Sequence, residues 1–355
     1  MSKTTTIIGA RRRLDFVAES HTGLLRFDDF ELDLPEDEDA RLDVSFLHRS
    51  HCIAGLPVRE PKSPMSVFSK FDGRFSLTVH PATITLPEGD LCEIGVPWGA
   101  KARLLILWIA SKINEPERAS GDPWVEIGNI DEWLREVGIV KNGKSVPATK
   151  DQLIRLAFSS FTMILKGGPD AGSYFQNNRL FQSGAFHDDD LENYRKGNLG
   201  GVRWPTALKL SNEAQQQLTS NAIPIPTGRL AEVSNNPTAI DLLVYLCYRL
   251  PLIGPNSSEL VTWKMLNTQF GSHTTISRFK EQFLPALRAV RTAYPEANID
   301  VTAEGLVLFY SDPAVLRRAF VAVTRTLEPP KRRRKPRNRF DSATDHTGGQ
   351  TAMDI

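Results

Sequence analysis

Gly138 to Ser145 reads GIVKNGKS, a literal match to G-x-x-x-x-G-K-[ST], the pattern whose backbone N–H groups cradle a nucleotide's phosphates. That chemistry needs a buried strand before the first glycine and a helix opening directly at the Lys and Ser. Here the amphipathic stretch IDEWLREV precedes the glycine, and Val146-Pro147 intervenes before the next helical pattern. The nearest downstream apolar strand with an acid at its end, LVLFYSD (306–312), fits better in a hairpin. The match is therefore read as a turn suited to DNA phosphate, and nucleotide hydrolysis is not expected. His48-Arg49-Ser50-His51 lacks the His-x-His pattern and paired Tyr of a strand-nicking enzyme. His187 with Asp188, Asp189 and Asp190 offers hard ligands, but four adjacent residues seldom converge on one ion, so a solvated loop is expected. Cys52, Cys92 and Cys247 have neither metal-ligand spacing nor a disulfide framework. No catalytic constellation, metal site or cofactor site emerges, and the expectation is a protein that is not an enzyme.

The remaining chemistry is phosphate recognition by cations. The chain has 355 residues and a formal net charge of +1, but its charge is segregated. Residues 1–27 are net +3, while Asp28 to Asp43 hold nine acids against Arg41, net −8. The tail 329–355 is net +4 and contains PPKRRRKPRNR, in which Lys331, Arg332, Arg333, Arg334 and Lys335 form a dense block. Without apolar residues such an arm cannot build a core, and it releases counterions when it meets DNA. A near-neutral total thus does not exclude nucleic acid. Hydrophobic residues are 41% and charged residues 24%, ordinary for a folded chain, and no apolar run approaches the roughly 20 residues of a membrane span. The amino terminus lacks a signal-peptide pattern, and a reduced, cytoplasmic protein is expected.

The elements that must position these cations follow from periodicity. Residues 1–72 lack sustained pattern and are expected to be largely disordered, with folded sequence beginning near Gly73. RFSLTVH (74–80) and Leu91 to Val96 read as strands, and Lys101 to Asn114 as a helix with apolar positions 104, 105, 108, 109 and 113. Ile130 to Val137 is a short helix stopped at Gly138, and Thr149 to about Leu165 a third, carrying Phe161 and Ile164 on its apolar face. Extended pieces at 174–181 and 182–187, with Ser183-Gly184 as a turn between strands, a strand over 203–210 and a helix over 212–221 complete a first unit, 73–221.

After a turn-rich divider at 222–237 the order repeats within 222–328. Thr238 to Leu250 is an apolar helix, Trp263 to Phe270 a short one ending at Gly271, and Thr275 to Tyr294 a long one with Pro285 expected to kink it. A hairpin joins Asn298–Thr302 to Leu306–Tyr310. Helix, short helix, Gly turn, long helix and hairpin is the succession of a winged helix. The expected class is α+β: two tandem winged-helix units, then a disordered basic tail over 329–355.

In such a unit the start of the long helix reaches base edges in the major groove. In the second unit the residues placed there are His273, Thr274, Thr275, Ser277, Arg278 and Lys280, with Arg288 and Arg291 further along. Arg278 has the fork that pairs with guanine, and the segment 275–294 is net +3. The first unit offers Lys141, Lys144, Ser145, Thr149, Lys150 and Arg155 in the equivalent place.

IGVPWGAKARLLILWIASK (94–112), IDEWLREVGI (130–139), DQLIRLAFSSF (151–161), PTAIDLLVYLCYRLP (237–251), WKMLNTQFG (263–271) and FKEQFLPALRAVRTAYPEANIDV (279–301) resemble, in that order, the RepA-type plasmid replication initiators. The resemblance spans roughly residues 90–315. It implies winged-helix domains that bind repeated double-stranded origin DNA, promote its opening, and recruit host initiation proteins and helicase; it also implies storage as a homodimer. The alternative from the same elements is a sequence-specific transcription regulator, which binds one operator and is dispensable for replication.

Overall fold

The structure is a computed structural model that describes residues 44–48, 55–71, 75–114, 121–165, 173–220, 222–271 and 275–312. Folded sequence begins earlier than Gly73. β1 (Val44–His48), β2 (Phe68–Phe71), β3 (Phe75–His80), β4 (Ala82–Thr85) and β5 (Leu91–Ile94) all precede the first helix, and Leu56 is a core residue. Residues 1–43 and 313–355, including the acidic block and the basic tail, lie outside the described residues.

α1 (Gly99–Ile113) has more than one apolar stripe: every residue from Ala102 to Ala110 is buried. A helix apolar on all sides belongs inside the molecule, which explains the run LLILWIA. It is followed by β6 (Trp124–Glu126), α2 (Ile130–Glu136) and α3 (Ser145–Phe158). Asn129 caps α2 by accepting the Asp131 N–H at 2.8 Å, and Gly138 leaves it at φ +70°, in the left-handed region its sequence position predicts. α3 opens at Ser145, four residues before the expected start. Pro147 sits in the first turn, where a missing N–H breaks no helical bond.

α3 also ends earlier than expected. Ser159 turns the chain into β7 (Ser160–Leu165), where Phe161 and Met163 are buried and Ile164 is exposed, the alternation of a strand. β7 pairs with β3 and with β8 (Tyr174–Arg179), giving an antiparallel sheet of order β2-β3-β7-β8. β9 (Phe181–Gly184) contains Ser183-Gly184, so these residues lie inside a strand and not in a turn. α4 (Asp188–Arg195), β10 (Ala207–Leu210), α5 (Asn212–Ser220), β11 (Ala222–Pro226) and α6 (Thr227–Val233) follow. The divider expected at 222–237 is therefore mostly β11 and α6. Its prolines are tolerated because β11 pairs only with β1 in a two-stranded ribbon.

The last elements are α7 (Pro237–Arg249), β12 (Ser258–Thr262), α8 (Trp263–Phe270), α9 (Ile276–Ala293), β13 (Ile299–Val301) and β14 (Gly305–Phe309). α9 runs through Pro285, which is exposed. Phe279, Phe283, Leu287 and Val290 form its buried face, each stabilising the fold by roughly 1.5–3 kcal/mol relative to an exposed position. Together the elements make a mixed α+β fold of small antiparallel sheets.

The two halves share one topology. α1, β6, α2, α3, β9 and β10 form a sheet of order β6-β10-β9; α7, β12, α8, α9, β13 and β14 form one of order β12-β14-β13. In each, the strand after the first helix pairs with the last strand, and the last strand with the one before it. In the first half β7 and β8 are inserted after α3, and α4 lies between the final two strands. One continuous cluster of buried side chains runs through both halves, with a smaller one of Leu86, Cys92, Ile94, Ile154 and Val202 beside α3.

Candidate nucleic-acid interface

α8 and α9 bring part of the second unit's expected set onto one open surface. Thr275, Ser277, Arg278, Glu281, Gln282, Arg288 and Arg291 are all exposed. Arg278 and Arg288 have no side-chain partner among the described residues, and the step of ten residues from one to the other places them about 15 Å apart along the helix. Arg291 differs: its guanidinium donates to the Ile299 carbonyl and ties the end of α9 to β13. Lys280 folds back on Trp263, with Nζ 4.5 Å from the ring centre. His273 and Thr274 lie outside the described residues, as do Lys331, Arg332, Arg333, Arg334 and Lys335. Lys264, exposed on α8, adds a cation that the sequence reading passed over.

The first unit is built differently at the same place. No residue of α3 is exposed. Thr149 is fully buried and its hydroxyl donates to the Ser145 carbonyl at 2.8 Å. The Lys150 amine donates to the Val202 carbonyl, and burial pulls its pKa below the ordinary lysine value. Arg155 is held by Asp151 at 2.8 Å and Glu60 at 2.7 Å. Tyr194 on α4 donates to Asp151 at 3.1 Å and covers the same side; burial, with the Asp151 charge behind it, drives its phenol above the usual range. Ile154 of α3 belongs to the second cluster of apolar residues, and Phe158 packs against it. Ser145, Thr149, Lys150 and Arg155 are thus engaged in the fold, and Lys141 and Lys144 remain at the surface, Lys141 paired with Asp131.

GIVKNGKS adopts a turn whose backbone works against a nucleotide-phosphate cradle. The helix opens directly at Ser145, so Val146-Pro147 does not separate loop from helix. The N–H groups of Lys144 and Ser145, which a phosphate cradle leaves free, donate to Asn142 Oδ1 at 2.9 and 2.8 Å. Ser145 Oγ accepts the Asn142 N–H at 2.8 Å. Helix α2 and not a strand precedes the loop. His187 to Asp190 is the start of α4 and not a loop: Asp190 Oδ2 accepts the His187 N–H at 2.8 Å and Oδ1 accepts the Arg203 N–H at 2.9 Å. No group of His, Cys, Asp and Glu among the described residues is arranged to hold a metal ion.

The RepA_C family, described as plasmid encoded RepA protein, matches residues 96–265. The match covers 170 of the 355 residues, just under half of the chain. The matched stretch starts just before α1, takes in every element from α1 to β12, and ends within α8, so β1 to β5 and α9 with Arg278 lie beyond it. Two crystal structures of domains 2 and 3 of RctB are similar to the chain, each at 12% identity. One, of selenomethionine derivatives, covers 68% of this chain and 84% of its own with a TM-score of 0.44; the other covers 76% and 98% with a TM-score of 0.45. No curated protein matches. No helix among the described residues is long and apolar enough to cross a membrane.

Proposed function

We propose that this protein is a plasmid replication initiator that binds repeated double-stranded origin DNA through two winged-helix units, promotes opening of the origin, and recruits host initiation proteins and helicase. The observation that carries the reading is the open basic face of α9 on a helix-strand-helix-helix-strand-strand unit, joined to a stretch that matches the RepA_C family. The strand order of both sheets is the one a winged helix has. In this reading α9 of the second unit enters the major groove and Arg278 reads a base edge. The first unit does not insert α3, whose flank is covered; it adds phosphate contacts through Lys141 and Lys144. The tail's cations raise affinity without selecting sequence. The protein acts in the cytoplasm by binding and not by catalysis, and a homodimer is its stored form.

The test is a transformation assay with the gene and its flanking DNA on a plasmid that has no other origin. Replication with the intact gene and none with Arg278→Ala supports the reading. Specific binding of the flanking DNA without replication, in a permissive host and with a complete flank, would make a transcription regulator the better description.

A further inference from the structure

Lys280 stands apart from Arg278 and Arg288 on α9 because its ammonium is turned back onto the protein. It lies 4.5 Å over the Trp263 ring and 3.4 Å from the Ala303 carbonyl at the tip of the β13–β14 hairpin. Trp263 is 5% exposed, and Phe283, one turn along from Lys280, meets its ring edge-on at 6.2 Å. The same tryptophan holds the tip twice more: its indole N–H donates to the Thr302 carbonyl at 3.2 Å, and its backbone N–H to the Glu304 carbonyl at 2.9 Å. Thr302 closes the turn by donating its N–H to the Gly305 carbonyl at 2.8 Å. At Gly305 a Cβ would stand 2.1 Å from the Val261 carbonyl oxygen, so only glycine allows β14 this close to β12. The tip is therefore fastened to Trp263, and Lys280 fastens Trp263 to the exposed start of α9.

We infer that Lys280 is a positioning residue: it holds the Thr302–Gly305 tip at a fixed offset from Arg278, so that helix and hairpin meet DNA as one rigid surface. A lysine that contacts phosphate keeps its ammonium in solvent, whereas moving this one outward would uncover the indole and abandon the Ala303 carbonyl. The charge is required, because a cation holds both the ring face and the carbonyl; arginine at this position retains both interactions, and methionine retains neither. The inference rests on the DNA-binding reading only for its consequence in binding. The clamp itself is a property of the free protein.

The experiment compares the intact full-length protein with Lys280→Met, Lys280→Gln and Lys280→Arg, using a duplex that the intact protein selects from a random-sequence pool. Expected for Met and Gln are about tenfold weaker binding, an unchanged slope of log affinity against log salt, and amide exchange at Thr302–Gly305 at least tenfold faster without DNA. Arg restores both affinity and protection. A slope smaller by about 0.9 would make Lys280 a phosphate contact and overturn the inference, whatever the exchange rates do. Exchange unchanged in Met and Gln overturns it as well. If the intact protein selects no duplex, the DNA-binding reading fails by itself, and the exchange measurement still decides whether the clamp exists.

Discussion

Arg103 on α1 and Asp241 on α7 meet as a two-point ion pair, Nε to Oδ1 and Nη2 to Oδ2, both at 2.7 Å. The first helices of the two units are thereby joined at a site where the side chains are 5% and 12% exposed. Arg103 uses all five of its N–H donors, the other three going to the carbonyls of Leu56, Pro57 and Gly99. Gly55, at φ +61°, brings this strap so near that a Cβ would stand 2.9 Å from Asp241 Oδ2. Taking away one partner strands a buried charge. Arg103→Ala is expected to cost about 3–5 kcal/mol, seen as a lower midpoint of urea unfolding, while the double replacement Arg103→Met with Asp241→Leu costs less. A single variant as stable as the parent would contradict the joint described here.

Gly138 is the turn between α2 and α3, and its position is constrained from two sides. Its φ of +70° costs an L-residue about 1–2 kcal/mol, and a Cβ there would stand 2.4 Å from the Ala231 Cβ on α6. Gly138→Ala should therefore destabilise the first unit by more than the backbone cost alone. Pairing it with Ala231→Gly should recover part of the loss, a recovery that thermal unfolding of the four proteins would reveal.

Two surface cations should behave differently on DNA. Arg278→Ala is expected to cost about 1–3 kcal/mol of affinity for the preferred sequence and to relax selection at one base position. Lys144→Ala should weaken binding to all duplexes alike and lower the salt slope by about one phosphate contact. Titration of matched and scrambled duplexes at several salt concentrations separates the two. Equal effects on both duplexes for Arg278→Ala would remove it from the groove.

Acid should loosen the end of α4 within a defined range. Hydrogen bonds from Arg195 and Lys196 hold the Glu192 carboxyl well below its ordinary value of 4.5, at about 2. A carboxylate with a depressed folded pKa contributes stability that is complete above its unfolded pKa and is lost as pH falls through the folded one. The contribution therefore fades from roughly pH 4.5 to about pH 2. A carboxyl NMR titration of Glu192 should show its midpoint near the lower end, and Arg195→Ala should raise it. A midpoint at the ordinary value in the intact protein would contradict the pairing.

Much of the second unit was legible because periodicity there is undisturbed. Trp263 to Phe270 is a helix over the predicted residues, and the long amphipathic stretch is α9 with its stripe inward. β7 was hidden because Phe161 and Ile164 continue the helical spacing of Leu153 and Leu156; only the partner strand β3, some eighty residues earlier in the chain, decides otherwise. β12 was missed because SELVT is a short strand with one fully buried residue. The surroundings of α3 were the least legible part. Its cations look like those of α9 in sequence, yet the residues that cover it come from 86–94 and 191–202, and their arrival has no local signature. The Trp263–Thr302 bond spans 39 positions and is equally invisible to spacing.

The burial of α1 on all sides has a mechanical consequence. Its surface is shared with α3, α5 and α7, and the ion pair with α7 closes the seam, so no slack tether separates the halves. A torque applied to the second unit passes into the first through the α1–α7 crossing. The molecule then works as a stiff bracket, and strain placed on one end must be borne by the other.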